Sequence, residues 1–208
     1  MIIKKILNNN VVVTTNDNKE EIIVMGKGLA YGKKTGCLLY TSTQDEISQK
    51  CKELGKLIMN DYHDKNLVLV GLLKGSVPFL AELSKYVNLD VTFDYMDVSS
   101  YEGTESRTIT IKKDLDQDVK GKDILLVEDI LDTGKTLSTV KAMLEERGAA
   151  TVEIVTMLDK KEGRTFPIEA KYVGFEIPNA FVIGFGLDFD EKYRNLPYVG
   201  ILKEECYQ

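Results

Sequence analysis

Residues 125–137 read LLVEDILDTGKTL. An apolar run, Leu125 to Val127, leads to Thr133-Gly134-Lys135-Thr136, and three carboxylates, Glu128, Asp129 and Asp132, stand between them. A nucleoside-triphosphate P-loop is excluded: it needs a glycine five positions before its Gly-Lys pair, and Asp129 occupies that position. The dinucleotide pattern Gly-x-Gly-x-x-Gly is absent as well. An Asp-Thr-Gly taken alone fits an ordinary strand, loop and helix with solvated acids as readily as it fits a site. The whole stretch is more specific. N–H groups of residues 133–136 opening a helix suit a phosphate monoester, with the Thr133 and Thr136 hydroxyls added. Carboxylates one turn away repel a second phosphate but accept hydrogen bonds from sugar hydroxyls. The ligand chemistry is that of a ribose 5-phosphate.

Outward from this stretch, helix and strand patterns alternate. Ile47, Cys51, Leu54, Leu57 and Ile58 recur at helical spacing and predict a helix over 45–62, with Thr43 or Ser42 as N-cap. NLVLVGLL (66–73) reads as a strand, followed by Lys74-Gly75-Ser76 and a helix opening near Pro78. Strands are predicted over 90–101 and 107–113 around a polar loop, then over 123–129. Leu137, Val140 and Leu144 share one face of a helix that stops at Gly148. Strands follow at 151–158, 172–177 and 181–187. This order predicts an α/β fold, a mostly parallel sheet flanked by helices, with ligands at the carboxyl ends of the strands.

The 208-residue length suits one domain with a small addition, and 43% hydrophobic with 29% charged residues reads as globular. No apolar run approaches the ~20 residues of a membrane span, and the start MIIKKILNNNVVV has no secretory pattern, so a cytoplasmic protein is expected. Cys37, Cys51 and Cys206 are too few and too widely spaced for a disulfide framework or a zinc site. The one histidine, His63, lies in the polar turn DYHDKN, which leaves little for histidine-based catalysis. Charge is uneven: residues 1–36 hold six lysines against three carboxylates, net +3, whereas the rest carries −9 of the overall −6. Two segments with different partners are implied.

LLVEDILDTGKTL resembles the phosphoribosyl diphosphate (PRPP) motif of type I phosphoribosyltransferases. VLVGLLKGSVPFLAEL, DYMDVSSY, DKKEGR and VGFEIPNAFVIGFGLDFDEKYRNLPYVGIL, in that order, resemble the hypoxanthine/guanine branch of that family. The resemblance implies the type I fold over residues 43–208, with a small hood beside the sheet. It implies Glu128 and Asp129 on the ribose hydroxyls, residues Thr133, Gly134, Lys135 and Thr136 on the 5-phosphate, and Asp132 as general acid or base near purine N7. Lys74 and Gly75, at a non-proline cis peptide Leu73–Lys74, would meet pyrophosphate, supported by Arg164 and Arg194. Lys160 would donate to the purine 6-oxygen, Phe181 would stack on the base, and Val182 would offer backbone groups. A Mg²⁺ ion is implied on the pyrophosphate at Asp188, with Glu128 and Asp129 as further metal-side carboxylates. Ser100 and Tyr101 would begin a mobile loop. PRPP and a 6-oxopurine are the implied partners, and a homodimer or homotetramer the implied assembly.

Residues 1–36 resemble something else. KILNNNVV and EIIVMGKGLAYGKK resemble the co-antiterminator (CAT) RNA-binding module of sugar-operon antitermination proteins, cut short at Gly36. That resemblance places Asn8, Asn10, Gly26, Lys27 and Tyr31 at RNA-contacting positions, and net +3 suits a nucleic-acid surface. The six residues CLLYTS (37–42) match neither family and resemble a peptide translated from sequencing-adapter DNA. The expectation is therefore a chimaeric join, with a natural fusion regulating transcription as its rival.

Overall fold

The computed structural model describes residues 4–8, 11–15, 21–25, 42–100 and 109–202. Strands β1 (Lys5–Asn8), β2 (Val11–Thr15) and β3 (Glu21–Met25) form an antiparallel sheet by themselves, ordered β1-β2-β3. The predicted β-rich N-terminal segment is therefore present. Of its expected RNA-contacting residues only Asn8, at the end of β1, lies within the described residues; Asn10, Gly26, Lys27 and Tyr31 lie outside them.

Helix α1 (Gln44–Tyr62) starts where its sequence demands. The Thr43 hydroxyl accepts from Glu46 N, and the Glu46 carboxylate accepts from Thr43 N at 2.9 Å, a closed capping box. Ser42, the last residue of the expected junction, is buried and bridges Val199, with Val199 N donating to Ser42 O at 3.1 Å. Next come β4 (Leu67–Leu72), α2 (Ser76–Ser84), β5 (Thr92–Ser100), β6 (Ile109–Lys113), β7 (Asp123–Leu131), α3 (Lys135–Glu146), β8 (Thr151–Asp159) and β9 (Tyr172–Glu176). The main sheet has the order β6-β5-β4-β7-β8-β9, parallel throughout except where β6 pairs with β5. β4 is buried along its full length, as an apolar strand covered on both faces must be. Alternate residues feed two cores. Leu69, Leu125 and Val155 pack with α1 and α2, whereas Val70, Leu126 and Ile154 pack with Leu137, Val140 and Leu144 of α3.

One predicted strand is mostly absent. In FVIGFGL only β10 (Val182–Ile183) is extended, pairing with β11 (Gly200–Ile201) outside the main sheet. Gly184, Phe185 and Gly186 have φ of +94°, +49° and +102°, which turns the chain after two residues. This short pair and its loops form the expected small hood. Among the described residues, no helix is long and apolar enough to cross a membrane.

Burial sets the energetic weight of each position. Leu126→Ala, which empties space beside a fully buried strand, is expected to lower unfolding free energy by about 2–5 kcal/mol. Leu57→Ala, at a helix position 54% exposed, is expected to change it by less than about 0.5 kcal/mol. Urea denaturation of both variants checks the contrast.

Candidate active site

Strand β7 carries Glu128 and Asp129 to its carboxyl end, and residues 131–134 then turn the chain into α3. Gly134 takes φ +81°, a left-handed conformation that glycine adopts without steric cost, and α3 starts at the next residue with no side-chain cap. The first N–H groups of α3 thus face a cavity of about 110 Å³ lined by Glu128 and residues 130–137. The recess lies at the loop that the sequence reading expects to hold a phosphate. A larger cavity, about 530 Å³, shares no lining residue with it and lies among Asp159, Arg164, Phe166 and Val173. Loop N–H groups and carboxylates converge on the smaller one, and the chemistry is assigned there.

Glu128 and Asp129 sit in an environment that resists their ionisation. Burial pushes the Glu128 carboxyl well above its ordinary range, with the neighbouring Asp129 charge adding to the effect, and Glu128 Oε2 is buried without a hydrogen-bond partner. Burial also pushes Asp129 up to about 6, although Ile130 N donates to it at 2.9 Å and the Arg194 charge opposes the shift. Asp129 touches the Lys74-Gly75 loop so closely that a Cβ on Gly75 would lie 1.7 Å from its Oδ2. The Leu73–Lys74 peptide is cis, at the position the resemblance implies.

Lys74 reaches across to the hood. Its Nζ lies 3.0 Å from Glu191 Oε2; Arg194 Nη2 lies 3.4 Å from the same oxygen and 2.9 Å from Asp188 Oδ1. Arg194 Nη1 also donates to Gly186 O at 2.8 Å. Lys74, Arg194 and Asp188 are thereby brought together around Glu191, which the sequence reading did not single out. An acid within DFDEKYR carries no spacing signal of its own. Lys74 holds exposed Glu191 below the ordinary carboxylate range.

Lys160 and Asp132 also meet. Lys160 Nζ donates to Asp132 Oδ2 at 2.8 Å, and a Cβ on Gly163 would fall 2.2 Å from Asp132 Oδ1, so the carboxylate has a cation on one side and bare backbone on the other. Phe181 is 40% exposed beside the hood, its ring edge-on to Phe189 with centroids 5.9 Å apart, and Val182 is buried in β10. Ser100 ends β5, and Tyr101 lies outside the described residues.

Arg164, expected to support the pyrophosphate end, makes its hydrogen bonds within the protein. Its Nε donates to Asp132 O at 2.8 Å, Nη1 to Ile168 O at 2.5 Å, and Nη2 to Leu131 O at 3.2 Å and to the Asp159 carboxylate. The guanidinium is committed to protein acceptors, which a basic residue in DKKEGR does not disclose.

Among the described residues, no three carboxylates, thiols or imidazoles converge into a protein-only metal cage. The donor set nevertheless suits a hard cation: Glu128 presents an unpartnered buried oxygen, Asp129 a neighbouring carboxylate and Asp188 a third nearby charge. Mg²⁺ is commonly held by one or two carboxylates together with substrate phosphates, so no cage is required.

A parallel sheet with a loop recess and paired acids at the carboxyl end of one of its central strands is the arrangement the resemblance to type I phosphoribosyltransferases implies. The phosphoribosyl transferase domain model matches residues 42–190, and the CAT RNA binding domain model matches residues 1–48, overlapping it at 42–48. Hypoxanthine-guanine phosphoribosyltransferase of Streptococcus pneumoniae (strain R6) is 54% identical over 79% of this chain and 93% of its own length. That of Lactococcus lactis is also 54% identical, over 79% of this chain and 91% of its own. A hypoxanthine phosphoribosyltransferase structure from Staphylococcus aureus superposes with TM-score 0.79 at 47% identity, over 81% of this chain and 93% of that one. The Trypanosoma cruzi enzyme in complex with the product IMP gives 0.78 at 39% identity, over 81% and 95%. The chain belongs to the hypoxanthine-guanine phosphoribosyltransferase family, and it is a pentosyl-transferring enzyme of purine salvage that uses PRPP.

Because the folded state raises the Asp129 pKa from 3.8 to about 6, the native protein holds this proton more tightly. The associated stability is fully present below about pH 4 and is lost as the pH rises through about 6, on the order of 2–3 kcal/mol. In ligand-free protein, Asp129→Asn is expected to raise Tm by several degrees at pH 7.5, with the gain vanishing near pH 4; differential scanning fluorimetry at both pH values measures it.

Proposed function

We propose that the enzyme transfers the phosphoribosyl group of PRPP to hypoxanthine, and to guanine, giving IMP or GMP and pyrophosphate. What carries this reading is the Lys160–Asp132 pair, 2.8 Å apart beside the phosphate recess. A cationic donor next to a carboxylate matches the 6-oxygen and N7 edge of a 6-oxopurine. Adenine would set its 6-amino donor against the Lys160 donor, leaving both without an acceptor there, which is how a buried polar group enforces selectivity. Phe181 stacks on the base, and Val182 presents its backbone to it.

Thr133, Gly134, Lys135 and Thr136 hold the 5-phosphate, and Glu128 and Asp129 accept from the ribose hydroxyls. Purine N9 attacks C1 of the ribose as pyrophosphate departs, and positive charge develops on the sugar ring. The two carboxylates favour that charge. Lys74, Gly75 and Arg194 receive the leaving group, and Asp132 holds or takes up the proton at N7. Asp188, Glu128 and Asp129 would hold Mg²⁺, which supplies charge neutralisation of the pyrophosphate when bound. Ser100 and Tyr101 begin the loop that closes over the site and excludes water.

This reading assigns residues 43–208 to the transferase domain, 37–42 to a junction and 1–36 to a truncated CAT-like segment. It also implies a cytoplasmic homodimer or homotetramer. A second reading, RNA binding through residues 1–36, is favoured by the CAT match and the three antiparallel strands.

Asp132→Asn is expected to lower kcat about 100-fold or more with PRPP and hypoxanthine, and product assays with hypoxanthine, guanine and adenine in turn should give no adenylate. An undiminished rate in the variant contradicts the assignment. Chelation by EDTA should abolish turnover, restored by added Mg²⁺. For the second reading, a gel shift with a stem-loop antiterminator RNA at low salt is the test, and no shift rejects it.

A further inference from the structure

We propose that Asp159 and Arg164 form a positioning pair, which aims the Asp132 carboxylate by clamping the backbone on either side of it. The proposal rests on the reading of Asp132 as the proton-handling group. Asp159 is the last residue of β8, in register with Leu131 at the end of β7. Its side chain is 5% exposed and that of Arg164 15%, so the pair is largely buried, at the wall of the cavity of about 530 Å³. Ile177 N donates to Asp159 O at 2.9 Å, which ties the acid to the chain beyond β9 as well.

The clamp spans consecutive residues. Arg164 donates to Leu131 O and Asp132 O, and Lys160 N donates to the same Leu131 O at 3.0 Å. Thr165 N and Phe166 N both donate to Thr133 O at 3.1 Å. Three successive carbonyls, 131 to 133, are therefore pinned by the segment 160–166. At the next residue a Cβ on Gly134 would lie 3.1 Å from Arg164 Cδ, so the guanidinium stem also shapes the left-handed turn. A planar fork with five N–H donors can reach diverging carbonyls at once, whereas an ammonium cannot hold that geometry. Asp159 neutralises the fork and fixes its plane. Without it a buried guanidinium would lose its counter-charge, and the carbonyls would lose a common anchor.

Positioning can be separated from bulk stability by asking whether the pair acts through Asp132. Asp159→Asn, Asp132→Asn and the double variant are assayed with PRPP and hypoxanthine at a temperature where circular dichroism shows each folded. Asp159→Asn is expected to lower kcat about 10- to 100-fold, with KM for hypoxanthine changing less than about threefold, the size of loss a misplaced catalytic group produces. In the Asp132→Asn background the same substitution is expected to cost almost nothing further, because residues acting as a unit are non-additive. An equal fractional loss in both backgrounds, or a lowered Tm with unchanged kcat, overturns the proposal. Full activity of Asp132→Asn alone would overturn the underlying reading instead, and the pair would have nothing to aim. Should Asp159→Asn fail to fold, Arg164→Lys, which keeps the buried charge but loses the fork, carries the same cycle.

Discussion

Two adjacent carboxylates, Glu128 and Asp129, stand at the end of a strand whose preceding residues are buried on both faces. Burial opposes their ionisation, the Asp129 charge adds to the effect at Glu128 and the Asp188 charge at Asp129, and one Glu128 oxygen has no partner. The surroundings of the site answer this one constraint. Gly75 has no side chain because Asp129 occupies the space, and Arg194 lies near enough to oppose the shift. Lys74 and Arg194 are held in waiting by Glu191 and Asp188. Under the proposed function, a ligand rich in hydroxyls and carrying positive charge in its transition state would offset the unfavourable burial of these carboxylates.

The second feature of the architecture is a division of basic residues by task. Lys74 and Arg194 contact acidic side chains at the hood, where an anionic ligand can exchange with a carboxylate partner. Lys160 contacts the side chain of Asp132 and Arg164 its main chain. Four cations within one region thus make three kinds of contact, with Arg194 also donating to Gly186 O and Arg164 also paired with the Asp159 carboxylate.

Much of this was legible in the chain. The parallel sheet followed from continuous apolar runs such as LVLVGL, and α1 from the Thr43 or Ser42 N-cap candidates and the Ile47, Cys51, Leu54, Ile58 stripe. The recess at residues 131–136 followed from hydroxyls, glycine and backbone N–H groups at a helix start, all of which are neighbours in sequence. FVIGFGL misled because apolar character predicts burial and says nothing of φ; the left-handed values at 184–186 end the strand after two residues. The contacts of Arg164 were not legible for a different reason. Its role lies in which acceptors surround it, and those come from positions 131, 132, 159 and 168.

The sequence by itself determined the fold class, the local shape of the phosphate recess and the type of ligand, because these depend on periodicity and on contiguous groups. Only the tertiary structure decided that Glu191 bridges Lys74 and Arg194, that Gly75 abuts Asp129, and that Arg164 serves the main chain of Asp132. Apart from Glu191–Arg194, three residues apart, those contacts join residues from 32 to 117 positions apart. Their existence depends on how strands and loops pack, and no pattern of neighbouring residues encodes it.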